Sequence, residues 1–289
     1  MLKRGAVLAL SLLCIWTAAT AAVRAGVAYV DLANELAPVQ ALLDLDGVAR
    51  DAGVTLVTGA GFGVVATEAL ALNVRGDAPP ARTARVDAMP VVDGLGPAVL
   101  SSIVDSLAAG GAMVREGRVT PIRLGSGFER LRLPDGSSVG TVAVPTGELL
   151  AAQTATGAGE IVAASSEVPS AAPIRAVLPV AGRLLARPRV RRAAHRAIDR
   201  WRLQPPARSG EFSWAHARLT WADGSVREGW LRTGEGYAFT ARVAALVASR
   251  LADGDGRPGA FTPAALLGAE IAVSAGAEFL PAQTGVSSS

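Results

Sequence analysis

Two short stretches carry the residue types that could bind a ligand or move a proton. The first, Asp31–Glu35, is polar and follows the apolar run Val27–Val30. The second, Gly59–Gly63, is rich in glycine and follows the apolar run Val54–Thr58. Carboxylates at such a position could exchange protons with a ligand. A glycine loop between a strand and a helix could hold a phosphate.

The elements around these stretches predict a parallel sheet. Each apolar run has the length of a buried strand, and residues 37–52 carry apolar side chains at mostly helical spacing before Gly53. A strand, a helix and a second strand predict a parallel pair with ligands at the carboxyl edge of the sheet. Thr67 is a suitable N-cap for the next helix. Asp31–Glu35 and Gly59–Gly63 both fall at the predicted edge.

Seven residues are therefore candidates for a substrate or cofactor crevice: Asp31, Asn34, Glu35, Gly59, Gly61, Phe62 and Gly63. A structural alternative stands beside this interpretation, because Asp31 could cap the following helix and Glu35 could lie in its first turn. The glycine loop is a weak pyrophosphate motif. Val64 stands where the GxGxxG pattern needs its third glycine. A tight strand-to-helix turn that lines a pocket is the better interpretation.

The rest of the chain predicts a second unit of different class. Residues 76–82 have the composition of a linker, and Thr83–Met89 alternates as a strand. Phe212–Arg232 is the clearest hairpin, Tyr237–Leu251 a helix, and Thr262 the start of a short last helix. We predict an α/β fold: the C-terminal part of a Rossmann-like parallel sheet plus an α+β domain with a mixed or antiparallel sheet. The boundaries are 1–16 (apolar segment), 17–80 (partial dinucleotide-binding domain), 81–235 (α+β domain) and 236–289 (C-terminal helices and tail).

Composition excludes several classes of protein. Among 289 residues, 28 basic and 25 acidic side chains give a net charge of only +3, which does not indicate nucleic-acid binding. With Cys14 as the single cysteine, no intramolecular disulfide or cysteine-based zinc site can form. His195 and His216 are far apart in sequence, so no metal site is expected, and both are predicted to be surface or sheet residues.

The N-terminus allows two interpretations. A basic start, Met1–Arg4, precedes residues 5–23, which carry no charge. This pattern is typical of a signal peptide and has about the minimum length of a membrane span, so residues 1–23 could contact a membrane. The alternative is a buried helix that leads into the first strand, with Gly26 as its C-cap.

A run of arginines between residues 174 and 208 faces only one acid, Asp199. A basic amphipathic helix of this kind could bind a membrane surface or a polyanion, although such a pattern more often forms a solvated helix face. The arginines are Arg175, Arg183, Arg187, Arg189, Arg191, Arg192, Arg196, Arg200, Arg202 and Arg208.

Several segments together resemble one family, the saccharopine dehydrogenase-like proteins, in particular the saccharopine reductase-like and trans-acting enoyl reductase-like group. The likeness covers most of residues 17–268, and the order of the segments adds weight to it. The segments are Ala25–Glu35, Ala49–Gly63, Ala108–Arg118, Val144–Glu148 and Gly256–Gly268.

This resemblance implies a Rossmann domain that binds NADP, an inserted domain that shapes the crevice for a small-molecule substrate, and a homodimer. No GxGxxG pattern occurs before Tyr29. The leading hypothesis is therefore the C-terminal portion of a cytoplasmic NADP-dependent oxidoreductase, truncated and of doubtful activity alone. The alternative is a non-catalytic, membrane-attached or exported binding protein. A degraded gene without a stable product is the third hypothesis.

Overall fold

The computed structural model describes residues 6–92, 94, 96–201 and 210–280. The basic start Met1–Arg4, Arg202, Arg208 and the C-terminal tail lie outside the described residues, as do the side chains of Cys14, Asp199 and Arg200. The helices are α1 (Ala6–Ala25), α2 (Leu36–Leu43), α3 (Asp46–Asp51), α4 (Phe62–Arg75), α5 (Pro97–Ala109), α6 (Glu148–Thr156), α7 (Ala172–Leu185), α8 (Pro188–Trp201), α9 (Gly236–Ala252), α10 (Pro263–Leu267) and α11 (Glu270–Ser274). The strands are β1 (Tyr29–Val30), β2 (Thr55–Val57), β3 (Thr83–Met89), β4 (Gly111–Arg115), β5 (Arg118–Ile122), β6 (Glu129–Arg132), β7 (Ser138–Ala143), β8 (Glu160–Ser165), β9 (Ser213–Thr220), β10 (Val226–Thr233), β11 (Gly259–Phe261) and β12 (Glu278–Leu280).

The front of the chain forms the predicted parallel sheet. Strand β2 lies between β1 and β11 and runs parallel to both. The outer strand, β11, comes from the C-terminal segment, which therefore completes the sheet begun by residues 29–57. Leu56 and Val57 are fully buried, as expected of the central strand. All three strands end at one edge, where Asp31, Thr58 and Thr262 follow them.

Two local predictions were wrong. The helix expected over residues 37–52 is divided into α2 and α3 around Asp44 and Leu45. Helix α4 begins at Phe62 with Gly61 as its N-cap residue, five residues before Thr67. The Thr67 hydroxyl lies inside the helix and donates to the Gly63 carbonyl at 2.7 Å. A threonine whose hydroxyl bonds four residues back cannot cap the helix start.

The second, larger sheet is mixed, as predicted. Its order is β12-β10-β9-β3-β8-β4-β5, and β7 joins it beside β8 while pairing with β6. Strands β3 and β8 are parallel, whereas β9 pairs with β3 and with β10 in antiparallel fashion. Helices α4 and α6 contact this sheet. The apolar side chains that alternate along the strands, such as Val86, Ile161 and Leu219, are fully buried in the main core.

The N-terminal helix belongs to the folded unit. Helix α1 contacts α2, and Ala19 is fully buried in a cluster that includes Leu42 and Leu56. Gly26 follows the helix with φ of +67°, and its amide donates to the Val23 carbonyl at 3.1 Å. This is the glycine C-cap of the buried-helix interpretation. Within the described part of the chain, no helix combines the length and the apolar character needed to cross a bilayer.

The arginine-rich segment is two helices. Helices α7 and α8 meet at Arg187 and contact each other, and each also contacts α5. His195 on α8 is partly buried, and its Nε2 lies 3.1 Å from a carboxylate oxygen of Asp105 on α5. His195 was predicted to be a surface or sheet residue, and it is only partly exposed, because α8 turns this side chain toward α5.

Candidate crevice at the carboxyl edge of the parallel sheet

A crevice of about 500 Å³ lies at the carboxyl edge of the parallel sheet. The loop after β1 and the glycine loop form one wall. The rest of the crevice is lined by the end of β3, one side of α5, the loop before α6, the end of β8 and the start of α9. The lining is mostly apolar, with a few polar side chains. A cleft of this size and character is the usual form of a small-molecule site.

Five of the seven candidate residues lie together in this lining: Asn34, Glu35, Gly61, Phe62 and Gly63. Asp31 and Gly59 do not line the crevice. One carboxylate oxygen of Asp31 accepts hydrogen bonds from the Ala33 amide at 3.0 Å, the Thr58 hydroxyl at 2.8 Å and the Gly59 amide at 3.3 Å. Asp31 thus ties together the ends of β1 and β2, which is a structural role.

The glycine loop is a tight turn, and it does not fit a pyrophosphate. Gly59 has φ of +78°, which favours glycine, and its carbonyl accepts a hydrogen bond from the Gly61 amide at 2.8 Å. The first amide of α4, Phe62, donates to the Thr240 hydroxyl at 3.1 Å. A side chain on Gly59 would contact Val64, and one on Gly63 would overlap Glu148. The amides of Gly59, Ala60, Gly61 and Phe62 thus all donate to protein acceptors, so these four residues offer no free amide to a dinucleotide phosphate.

Glu35 faces the crevice and joins two of its walls. Its carboxylate accepts hydrogen bonds from the Ser102 hydroxyl on α5 and from the Asn34 amide, the latter at 3.3 Å. Its backbone forms an antiparallel bridge with Thr146, and the Asn34 carbonyl accepts the Gly147 amide at 2.7 Å. Glu35 occupies the N-cap position of α2, but its side chain makes no capping hydrogen bond. The capping alternative therefore does not explain its carboxylate.

Glu148 is the residue that sequence reasoning missed. It is the first residue of α6, its side chain lines the crevice, and only 4% of it is exposed. Its Oε2 is buried and has no hydrogen-bond partner among the described residues. Burial raises the pKa of Glu148 to about 7, and the negative charge of Glu167 contributes to the rise. A carboxyl with a pKa near neutrality can both donate and accept a proton at physiological pH.

The charges of the lining are all of one sign. Glu35, Glu148 and Glu167 line the crevice, whereas none of the described lining residues is Lys, Arg or His. Like charges that share one site make further negative charge unfavourable. The crevice is therefore suited to a neutral or cationic molecule with an apolar body, and a dicarboxylate or a phosphate would be disfavoured.

A second buried carboxyl, Glu68, has a structural role. It is fully buried, and burial raises its pKa to about 7. It accepts hydrogen bonds from the Thr262 hydroxyl and from the amides of Ala264 and Ala265, at 3.0 and 3.2 Å for the two amides. Glu68 thus binds the free amides at the start of α10, so its burial is explained by capping. Glu148 differs in one respect, since its buried Oε2 has no hydrogen-bond partner among the described residues.

His216 lies in a buried charged network on the larger sheet, away from the crevice. It was predicted to be a surface or sheet residue; it lies on β9 and is fully buried. Its Nδ1 is 2.9 Å from Asp87 and its Nε2 is 2.6 Å from Glu228. Burial alone would lower its pKa, but the hydrogen bonds to Asp87 and Glu228 and their charges raise it. Because both ring nitrogens are occupied, this histidine has no free nitrogen for a substrate.

The parallel sheet, the adjoining mixed sheet and the crevice between them define a Rossmann-like α/β fold of the dehydrogenase type. No family model matches the sequence, and no curated protein matches it either.

Among solved structures, the fold is similar to that of apo histidine-tagged saccharopine dehydrogenase (L-Glu forming) from Saccharomyces cerevisiae. The TM-score is 0.54 at 10% sequence identity, and the match covers 92% of this chain and 82% of that chain. At this identity the likeness shows the fold alone. It agrees with the family resemblance of the sequence at the level of a saccharopine dehydrogenase-like fold.

We expect Gly63→Ala to be about 1 kcal/mol less stable than Gly47→Ala, at the low end of the cost of overpacking, because only the end of one flexible side chain must move. A methyl group there would overlap Glu148 Oε1 and lie 3.2 Å from Asn34 Oδ1, so the carboxyl would have to move into the crevice. Urea denaturation measures the change. Gly47→Ala on α3 is the matched control, since its added methyl meets nothing within 4 Å. Equal stability of the two variants would contradict the close approach of Gly63 and Glu148.

Proposed function

We propose that these residues form the substrate-binding portion of an oxidoreductase with a saccharopine dehydrogenase-like fold. The observation that carries the proposal is the Glu148 carboxyl, which is buried in the wall of an apolar crevice with one oxygen unpartnered among the described residues. A buried group of this kind reduces stability unless a ligand satisfies it. Perturbed carboxyls in clefts are typical of functional sites.

The ligand class follows from the lining. An apolar body would fill the crevice, and a carbonyl, imine or amine group would face Glu148. When Glu148 is protonated it can donate to a carbonyl oxygen or an imine nitrogen, and when ionised it can bind an ammonium group. The Ser102 hydroxyl and the Asn34 amide hold the Glu35 carboxylate, and the Glu35 backbone pairs with Thr146 close to Glu148, so Glu35 adds negative charge beside it. The role of Glu148 is to exchange one proton with the bound molecule.

The dependence on NADP that the family resemblance implies is a separate question. The glycine loop of the described residues does not accommodate a pyrophosphate, so we assign no step to that cofactor. We expect this chain to show no saturable micromolar binding of NADPH when cofactor fluorescence is titrated. Micromolar binding would contradict this expectation, and it would show that the phosphates are held elsewhere than at Gly59–Gly63.

The crevice itself is tested with small probes. Ligand-observed NMR on a panel of cyclic and linear ketones and amines should detect binding to the wild-type chain. Glu148→Gln should weaken binding of the amines by about tenfold or more, the effect of losing one charge-assisted hydrogen bond. Glu68→Gln is the matched control, because Glu68 is equally buried but lies outside the lining. Equal weakening by both substitutions would refute a ligand-binding role for Glu148.

A further inference from the structure

Helix α7 exposes an apolar face that nothing in the described chain covers. Ile174, Val177, Val180 and Leu184 are 41%, 58%, 56% and 43% exposed. Spacings of three and four residues place them on one side of the helix. Another side of the same helix is already packed, since Leu178 and Gly182 are buried against Leu107 and Leu124. The exposed apolar face is therefore additional to the one that the core uses.

Arginines are frequent along α7, α8 and the turn that joins them. Residues 171–198 include seven arginines and no Asp or Glu. Arg191 and His195 share one acid, Asp105 of α5. Four other arginines are exposed to solvent: Arg183, Arg187, Arg189 and Arg196. We call Ile174, Val177, Val180 and Leu184, together with these four arginines, the basic apolar surface.

The charge of this surface determines what can cover it. A second copy of the same surface would bring arginines against arginines without an intervening acid, which is unfavourable. A nucleic acid would satisfy the arginines but would leave four aliphatic side chains without an apolar partner. An anionic bilayer satisfies both features, because the phosphate headgroups bind arginine and the acyl chains below them accept Val, Ile and Leu.

We propose that the basic apolar surface docks this protein on anionic phospholipid membranes. Helices α7 and α8 both contact α5, and Ser102, Ile103 and Ser106 on α5 line the crevice. Docking therefore brings the crevice within about two helix diameters, roughly 20 Å, of the membrane surface. The inference stands independently of the chemistry proposed for Glu148.

The test is co-sedimentation of the full chain with vesicles. Phosphatidylcholine vesicles are compared with vesicles made of phosphatidylcholine and phosphatidylglycerol in equal parts. The wild-type chain should bind the mixed vesicles more tightly and should lose binding as salt is raised. Arg183→Gln/Arg187→Gln/Arg189→Gln should lower the partition coefficient by about 100-fold, at roughly fivefold for each arginine. Val177→Ser/Val180→Ser should lower it by about tenfold, through lost apolar insertion.

The control must show that vesicle binding depends on this surface and not on the net charge of the protein or on residues 1–23. Arg118→Gln/Arg130→Gln/Arg132→Gln removes the same charge from exposed positions on β5 and β6 and should leave binding nearly unchanged. Circular dichroism confirms that each variant is folded. Three outcomes would each overturn the proposal. They are equal losses of binding in the control and in the arginine variant, binding that does not depend on salt concentration, and binding that the valine substitutions leave unchanged. Absence of binding with a dimer that the same substitutions dissociate would overturn it in favour of self-association.

Discussion

Asp87→Ala is expected to lower the free energy of unfolding by about 3–5 kcal/mol, the usual cost of removing one partner from a buried charged network. Asp87 is fully buried on β3. Its carboxylate accepts from Arg85 at 2.8 Å, from the Thr141 hydroxyl at 2.7 Å and from the His216 ring at 2.9 Å. The substitution would leave the Arg85 guanidinium and the His216 ring buried without their main counter-charge.

The pH dependence of stability should report the same network. Burial alone would raise the pKa of Asp87, but His216 and Arg85 outweigh it and lower that pKa below 3.8. The stabilisation from Asp87 is therefore present above pH 3.8 and is lost as pH falls. The raised pKa of His216 has the opposite consequence, since its contribution is complete below pH 6.5 and is lost as pH rises through the folded-state pKa. The network should contribute most between about pH 4 and 6.5.

Urea denaturation at pH 6 measures this prediction. Asp77→Ala is the control: Asp77 is an exposed aspartate in the linker before β3, and its substitution should change stability by less than about 0.5 kcal/mol. A loss of stability in Asp87→Ala no greater than that of the control would show that the network does not hold β3 and β9 together.

The sequence pattern was sufficient to predict those strands whose formation depends mainly on residues close together in the chain. Alternation along Thr83–Met89 predicted β3 with its observed bounds, and two short apolar runs separated by helical spacing predicted the parallel pair β1 and β2. The start of α4 was misplaced because a threonine hydroxyl can bond forward as a cap or backward to a carbonyl. Only the backbone of the preceding glycine loop decides between these two states.

The crevice could be predicted only in part, because its walls come from distant parts of the chain. Asn34, Glu35 and Gly61–Gly63 were accessible to reasoning, since the carboxyl ends of parallel strands meet at one edge. Glu148 follows β1 by more than a hundred residues, and its contact with Gly63 depends on how the second sheet packs against the first. Its signal was a lone acid at the start of an otherwise apolar helix, which ordinarily indicates a stabilised helix terminus.

The difference in free energy of unfolding between Glu148→Gln and the wild-type chain is expected to depend on pH. It should favour the variant by about 3 kcal/mol more at pH 8 than at pH 4. Burial raises the pKa of Glu148 from 4.5 to about 7 in the folded state. Between those values the unfolded chain loses the proton while the folded chain keeps it, so wild-type stability falls as pH rises. A difference of this size between the folded and unfolded pKa corresponds to about 3 kcal/mol. Glutamine is neutral in both states and removes this dependence.

Comparison of the two proteins by urea denaturation at several pH values isolates Glu148, since His216 and Glu68 titrate equally in both. Glu68→Gln provides the contrast. It should flatten the profile over the same range, because burial raises its pKa to about 7 as well, but it should also lose capping of α10 and so gain less at pH 8. Parallel profiles for Glu148→Gln and wild type would show that the carboxyl is hydrated in solution. A carboxyl that reduces stability at neutral pH and keeps one buried oxygen unpartnered among the described residues supports our proposal of a ligand, which would supply the missing hydrogen bond.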